Sequence, residues 1–130
     1  MAMNVRTMVV QSRGDARGIL RFCNEFDMSA VKRFYTVSNS AALPRRGWIM
    51  HKRETKWFFP LRGVTKVFVA SDGDELKSTK VILAADEPMI LQVNPCNWFM
   101  IEQDGSAEVQ VFSNCSLGEF KDDDFRRPLL

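Results

Sequence analysis

Apolar and polar residues alternate along most of the chain, and this period of two is typical of β-strands with one buried face. Residues 31–37 alternate in this way except at the neighbours Phe34 and Tyr35. Further segments are rich in β-branched and aromatic residues, which favour strands: residues 57–61, 64–69, 79–83, 89–93, 98–101 and 108–112. No segment has the sustained spacing of three and four residues that an amphipathic helix requires.

Turn signals separate these segments. Asp-Gly pairs provide positions that tolerate positive φ, and proline interrupts a strand because it donates no backbone hydrogen bond. The breaks are Arg62-Gly63, Asp72-Gly73, Glu87-Pro88, Asn94-Pro95 and Asp104-Gly105. The pattern predicts about nine or ten short strands in a two-sheet sandwich or small barrel with little helix. The charged tail, residues 121–130, is expected to cross the surface.

Composition narrows the class of protein. At 130 residues the chain has the size of a single domain, and we expect one domain over residues 1–130. A hydrophobic share of 45% and a charged share of 26% favour a folded globular protein over disorder. Lys and Arg number 18 against 16 Asp and Glu, a balance that argues against a nucleic-acid or membrane-surface partner.

The N-terminus and the cysteines carry no signal for export. The first ten residues lack the long apolar core of a signal peptide, and no window reaches the roughly 20 apolar residues that span a bilayer. Cys23, Cys96 and Cys115 form neither a disulfide framework nor a zinc pattern, so we interpret them as reduced thiols. The expected location is the cytoplasm.

Residues 45–58 hold the densest candidate chemistry. This stretch contains His51, the only histidine of the chain, together with several lysines and arginines and two of the three tryptophans. Histidine suits proton transfer near neutral pH, and nearby cations can stabilise an oxyanion or bind phosphate. On a regular strand His51 and Lys56 point to opposite faces, so they share a cavity only if a bulge or turn intervenes near Arg53.

Ordinary structural roles remain open for these residues. A lone histidine in a strand is more often structural or exposed than catalytic, and a charge run such as residues 52–56 is usually solvated. Tyr35, the only tyrosine, fits a half-buried strand position. Trp48 and Trp57 fit a core or an interface.

Several classes of site are absent from the sequence. One histidine and three scattered cysteines cannot supply the ligands of a zinc or iron centre, so we expect no metal and no cofactor. The glycines are isolated and form no phosphate-binding loop. No nucleophile motif of a hydrolase accompanies His51.

Four segments together resemble the cupin sugar-nucleotide isomerases: residues 15–18, 31–35, 46–56 and 61–63. These enzymes include the dTDP-4-keto-6-deoxyglucose 3,4-ketoisomerases and small relatives of the dTDP-4-dehydrorhamnose 3,5-epimerases. The resemblance spans roughly residues 13–125 and includes residues 117–123, which look like the closing segment of the family. It implies an all-β cupin, or jelly-roll β-barrel, that forms a homodimer and isomerises a nucleotide sugar for bacterial surface polysaccharides.

The resemblance also implies roles for individual residues. His51 would be the base, Tyr35 a donor or second acid–base group, and Lys56 the group that stabilises an enolate. Arg33 and Arg46 would bind the diphosphate or the sugar of the substrate.

The sequence departs from the family at one position. The ketoisomerases read Arg-Gly, one residue, His, one residue, His-Lys, but Ile49 stands where the first histidine would be. That histidine corresponds to the catalytic base of the 3,5-epimerases. The alternative interpretation is therefore a non-catalytic cupin that binds sugar nucleotides or assists another glycan enzyme. A His51 that faces a polar open cavity with Tyr35 and a cation favours the enzyme.

Overall fold

The computed structural model describes residues 5–73, 77–119 and 121–128. These residues form twelve β-strands and no α-helix, and Met28–Ala30 makes a single 3-10 turn. The strands are β1 Val5–Val9, β2 Gln11–Asp15, β3 Gly18–Phe22, β4 Arg33–Val37, β5 Arg45–Met50, β6 Lys56–Arg62, β7 Val64–Ser71, β8 Thr79–Ala84, β9 Met89–Val93, β10 Asn97–Gln103, β11 Glu108–Ser113 and β12 Phe125–Arg126.

The strands form two five-stranded antiparallel sheets and one separate hairpin. Sheet I has the order β1-β9-β6-β11-β4, and sheet II has the order β12-β5-β10-β7-β8. The hairpin pairs β2 with β3, and its side chains are exposed except at Phe22. Consecutive strands such as β5 and β6 lie in different sheets, so the chain crosses repeatedly between the two layers.

The main core fills the space between the two sheets. Alternate residues of each strand point inward, as expected for two antiparallel sheets packed face to face. Sheet I contributes Phe58, Leu91, Val93, Val109 and Val111, and sheet II contributes Val67, Val69, Leu83, Phe99 and Ile101. Phe58 and Phe99 meet edge to face across the layers, with ring centroids 5.7 Å apart. This apolar layer forms the floor beneath the candidate site.

A second apolar cluster covers the outer face of sheet I. Met8, Trp57 and Ile90 are buried there, and Phe26 packs against Trp57 from the segment that follows β3. Lys56 and Phe58 therefore point inward, whereas Trp57 points to this outer cluster. The alternation along β6 is what separates the two apolar layers.

The all-β jelly-roll prediction is confirmed, and the little helix expected from the sequence agrees with the structure. Strand β9 has the predicted bounds of 89–93, whereas β1, β2, β3, β5 and β12 were not among the segments predicted as strands. The expectation that the tail only crosses the surface is wrong at Asp123, which is 3% exposed. Its carboxylate is held by backbone N–H groups, which offset the cost of burial. Within the described ranges, no helix has the length and apolar character required to cross a membrane.

Candidate functional site

A cavity of about 320 Å³ lies between the two sheets and is lined by residues of both. Its floor is apolar and its walls are polar, as in many sites for small ligands. The floor is formed by Val37, Phe58, Phe99 and Ile101, and the walls include Arg33, Tyr35, Arg46, Ile49, His51, Glu54, Lys56, Cys115, Glu119, Asp123 and Arg126. All five residues that the sequence singled out, namely Arg33, Tyr35, Arg46, His51 and Lys56, therefore line one cavity.

A β-bulge in β5 places Arg46 on the same wall as Ile49. Phe99 pairs with Ile49 and Met100 pairs with Gly47, so one extra residue of β5 stands between them. In a regular strand, residues three positions apart point to opposite faces. Because of the bulge, Arg46 and Ile49 both point into the cavity. Gly47 has a φ of 128°, which favours glycine, and a Cβ there would lie 2.7 Å from the Phe99 carbonyl oxygen.

A turn between β5 and β6 brings His51 and Lys56 to the same cavity, as the sequence required. The turn begins after Met50 and ends before Lys56, and its two ends are tied to other loops. The His51 carbonyl accepts a hydrogen bond from the Cys96 N–H at 2.6 Å, and the Thr55 N–H donates to the Asn114 side chain at 3.0 Å. These contacts fix where each functional side chain leaves the turn.

His51 is buried, and its two ring nitrogens have different environments. Nδ1 lies 2.6 Å from the main-chain carbonyl oxygen of Asp123. A carbonyl oxygen can only accept, so Nδ1 carries the proton. Nε2 is buried and has no hydrogen-bond partner among the described residues. Since Nδ1 is protonated, the neutral ring leaves a lone pair on Nε2, which is the form of a general base.

The Asp123 carboxylate binds the backbone of the turn between β5 and β6. It accepts three consecutive backbone N–H groups, from Lys52 at 2.6 Å, Arg53 at 2.9 Å and Glu54 at 3.1 Å. Burial raises the pKa of this carboxyl, but the three N–H donors and the nearby His51 outweigh burial, and the pKa is lowered. Asp123 is therefore an anion whose charge stabilises the turn.

Glu54 is a buried carboxylate that sequence analysis missed. Its Oε2 accepts a 2.5 Å hydrogen bond from the Ser113 hydroxyl and lies 3.7 Å from the Lys56 ammonium. Its Oε1 lies 3.7 Å from Nδ1 of His51. The residue stood in a charge run that is usually solvated, but here only Lys52 and Arg53 of that run are exposed. The available signal was that Glu54 belongs to residues 46–56, one of the segments that resemble the cupin sugar-nucleotide isomerases.

Tyr35 and Lys56 both line the cavity and are hydrogen-bonded to each other. The Lys56 ammonium donates a 2.6 Å hydrogen bond to the Tyr35 phenolic oxygen, and it lies 5.6 Å from the centre of the Phe99 ring. Because the phenolic oxygen accepts from Lys56, its own O–H remains able to donate. The pair can therefore present both a cation and a hydrogen-bond donor to a developing oxyanion.

Three arginines give the cavity a cationic rim. Arg33 stacks over the Tyr35 ring at 5.2 Å, and its Nε is buried without a hydrogen-bond partner among the described residues. Arg46 donates to the Asn39 side chain at 3.2 Å, and Arg126 pairs with Asp124 at 3.1 Å. Guanidinium groups are suited to phosphate oxygens because their donors lie in a planar fork. Arg126 was not singled out from the sequence.

Glu119 and Ser116 close the side of the cavity near residues 115–119. The Ser116 hydroxyl and N–H both donate to Glu119, at 2.6 Å and 2.8 Å, and Lys32 lies 3.1 Å from the same carboxylate. These hydrogen bonds and the lysine lower the pKa of Glu119 to about 2. The loop is thus held by an anion that is stable at neutral pH. In the part of the chain that the structure describes, no three His, Cys, Asp or Glu side chains cluster as metal ligands.

Comparison with solved structures identifies the fold around this cavity. QdtA, a 3,4-ketoisomerase from Thermoanaerobacterium thermosaccharolyticum, was solved as a mutant in complex with TDP-4-keto-6-deoxyglucose. It matches with a TM-score of 0.77 and 20% identity over 98% of this chain and 90% of that chain. A 3,4-ketoisomerase from Helicobacter canadensis matches with a TM-score of 0.77 and 17% identity over 97% and 92% of the two chains. The chain has the cupin fold of these sugar isomerases.

The same fold extends to an epimerase. ChmJ, a 3'-monoepimerase from Streptomyces bikiniensis in complex with dTDP-quinovose, matches with a TM-score of 0.77 and 12% identity over 95% of this chain and 69% of that chain. No protein-family model and no curated protein matches the sequence. The structural neighbours thus belong to the group of isomerases and epimerases that the sequence resembles, at identities that establish the shared fold.

Proposed function

We propose that the chain is an isomerase of nucleotide-linked 4-keto-6-deoxyhexoses, with dTDP-4-keto-6-deoxyglucose as the first substrate to test. The observation that supports this most directly is the state of His51. Its Nδ1 proton is held by Asp123, whereas its buried Nε2 has no partner among the described residues and belongs to a polar cavity shared with Tyr35 and Lys56. A base, an oxyanion stabiliser and a cationic rim are the three parts that the chemistry needs.

The proposed reaction is a proton transfer through an enolate. Nε2 of His51 removes a proton from the carbon beside the 4-keto group, and the C–H electron pair becomes a C=C bond. The carbonyl π pair moves to the oxygen, where the Tyr35 hydroxyl and the Lys56 ammonium stabilise the negative charge. The imidazolium then returns the proton to carbon, and His51 recovers its neutral form. Return to the original carbon leaves the keto group at C4, whereas return to C4, with the C3 hydroxyl passing its proton to O4, moves the keto group to C3. Arg33 and Arg46 bind the diphosphate or the sugar.

Incubation with dTDP-4-keto-6-deoxyglucose in deuterated water tests this function. We expect deuterium at a ring carbon next to the carbonyl, C3 or C5, at a rate well above that of the sugar without protein. The variant His51→Asn keeps a similar shape but lacks the base, so exchange should slow by about 10²–10⁴-fold while the ligand still binds. Full activity in His51→Asn would remove His51 from the mechanism.

A second function is favoured by one specific residue. Ile49 lines the cavity where the family pattern has its first histidine, and its side chain can neither take nor give a proton. In this second function, the chain binds a sugar nucleotide without isomerising it, or assists another enzyme of glycan synthesis. Tight binding of several 4-keto sugar nucleotides without deuterium exchange in any of them would favour this alternative.

The proposal includes a homodimer that acts in the cytoplasm in the synthesis of bacterial surface polysaccharides. Support for the dimer comes from exposed apolar side chains on and beside the hairpin, including Ile19 at 64%, Leu20 at 63% and Val9 at 69% exposure. Exposed apolar patches often mark interfaces. Sedimentation at micromolar concentration should show a species twice the 14.9 kDa of one chain, and a monomer alone would contradict the dimer.

A further inference from the structure

We propose that Asp123 is a positioning residue that sets the tautomer of His51 and the shape of the turn before β6. This inference rests on the proposed function, because it concerns the base of the same site. Asp123 was missed in the sequence since it lies 72 positions from His51 in a charged segment. Its main chain and its side chain act on two different parts of the site.

The main-chain carbonyl of Asp123 acts on the imidazole. The 2.6 Å contact with Nδ1 requires a proton on that nitrogen, whichever protonation state the ring adopts. In the opposite tautomer the Nδ1 lone pair would face the carbonyl oxygen, which is repulsive, and Nε2 would carry the proton. That tautomer cannot act as a base through Nε2. The carbonyl therefore selects the catalytically useful form of the neutral ring.

The carboxylate of Asp123 acts on the turn. Lys52, Arg53 and Glu54 direct three successive N–H groups to its two oxygens. Backbone donors shielded from water need partners, and residues 52–54 lie outside the strands that the structure describes. The arrangement carries the chain from β5 in sheet II to β6 in sheet I, and Glu54 and Lys56 line the cavity. Both contacts depend on the position of Asp123, whose carboxylate anchors it to the turn.

Short pairing with β5 holds Asp123 at this position. In β12, Phe125 pairs with Met50, the residue before His51, and the Arg127 N–H donates to the Trp48 carbonyl at 3.1 Å. Lys52 places its ammonium 5.0 Å from the centre of the Phe125 ring. Asp123 lies just before β12, β12 pairs with β5, and His51 directly follows β5.

The direct test uses the fact that His51 is the only histidine of the chain. In nitrogen-15 NMR of the wild-type protein, at a pH where the ring is neutral, we expect one imidazole tautomer with the proton on Nδ1. The amide protons of residues 52–54 should also exchange slowly with solvent. A wild-type ring with its proton on Nε2 would overturn the inference without any variant.

The variant Asp123→Asn removes the charge and one of the two acceptor oxygens. We expect the ring signals to move toward a mixture of tautomers and the amide protons of residues 52–54 to exchange faster. We also expect kcat to fall, by at most the about 10⁴-fold that a wrong histidine tautomer costs in a catalytic triad, with a smaller change in KM. The matched control is Asp122→Asn, which makes the same chemical change at an exposed neighbour. The control should leave all three readouts at their wild-type values.

A folding failure does not remove the test. If Asp123→Asn does not fold, Asp123→Ser keeps a hydroxyl oxygen that can accept one N–H, and the same measurements are made on it. An unchanged tautomer, or an unchanged kcat beside a changed tautomer, overturns the inference. A wild-type protein that exchanges no substrate deuterium instead refutes the proposed function, while the substrate-free NMR measurements still decide whether Asp123 sets the state of His51.

Discussion

The Lys56 ammonium donates a 2.6 Å hydrogen bond to the Tyr35 hydroxyl oxygen, although the two residues lie on strands that are not neighbours. Strand β11 runs between β4 and β6, with Ser113 opposite Lys56 and Val111 opposite Tyr35. Their side chains reach diagonally over β11 toward the cavity. The small Ser113 leaves room for this contact and donates a hydrogen bond to Glu54, so β11 supports Tyr35, Lys56 and Glu54 together.

Removing either member of this pair should impair catalysis more than binding. Tyr35→Phe loses the donor, and Lys56→Met loses the cation, so each should reduce kcat by about 10²–10³-fold, the range for loss of one oxyanion donor. Steady-state kinetics with dTDP-4-keto-6-deoxyglucose measures the effect. Lys80→Met, at an exposed position of β8, is the control and should be active. Near wild-type kcat in both Tyr35→Phe and Lys56→Met would exclude the pair from the reaction.

Ile49→His should introduce a second base into the cavity. Residue 49 faces the cavity beside His51, and the partly buried isoleucine packs at the edge of the apolar core. We expect deuterium to appear at an additional carbon of the sugar, or exchange to begin if the native protein shows none. Mass spectrometry and proton NMR of the product locate the label. Ile49→Asn, which is polar but cannot act as a base near neutral pH, should show no such gain, and an equal gain there would rule out the second-base explanation.

Gly47→Ala should destabilise the protein and disturb the cavity together. A Cβ at residue 47 would lie 2.7 Å from the Phe99 carbonyl oxygen and 2.9 Å from the Met100 Cα, at a φ of 128°. The strained backbone alone costs about 1–3 kcal/mol of the free energy of unfolding, and the clash adds to it. Chemical denaturation measures the loss. Gly14→Ala is the control because its nearest neighbouring atoms are 3.8 Å away, and equal stability of the two variants would contradict the prediction.

Acid should weaken the fold through Glu119. Its pKa is lowered from 4.5 to about 2 in the folded protein by Ser116 and Lys32. A lowered folded pKa stabilises the protein above the unfolded pKa, and this contribution disappears as the pH falls from about 4.5 to about 2.

Glu119→Gln cannot titrate in that window, so its free energy of unfolding should fall less steeply with decreasing pH. The stability difference between wild type and variant should be largest at neutral pH and shrink toward about pH 2. Thermal or urea unfolding across this pH range measures both curves. Glu87→Gln changes an exposed carboxylate and should keep the wild-type slope. Parallel curves for wild type and Glu119→Gln would refute the assigned cause.

The strand pattern predicted the sheets because burial on one face leaves a local signature. Residues 89–93 form β9 as predicted, since their apolar and β-branched side chains fill both the core and the outer cluster. The hairpin of β2 and β3 left no such signature, because its residues are almost all exposed. Strand β12 has two residues, too few for any period to be recognised.

The site was predictable only in part, since its residues come from distant segments. His51, Lys56 and Tyr35 were recognised by residue type and family resemblance. The contact between His51 and Asp123 joins positions 72 apart, and no local pattern encodes it. Glu54 looked solvated because its neighbours are charged, but its burial depends on Ser113, 59 positions later. Local periodicity reports which face of a strand is buried and says nothing about which distant group will meet it.

The number of residues in the turn between β5 and β6 is as important as their identity. Along β6 the cavity-facing Lys56 alternates with Trp57, which belongs to the outer apolar cluster. Deleting one residue from the turn would leave both strand sequences intact but would exchange the faces of all the side chains that follow. A buried tryptophan would then enter the cavity and an ammonium would enter the apolar layer. Homologous chains that keep this site should therefore vary in sequence at residues 52–53 while tolerating no insertion or deletion there.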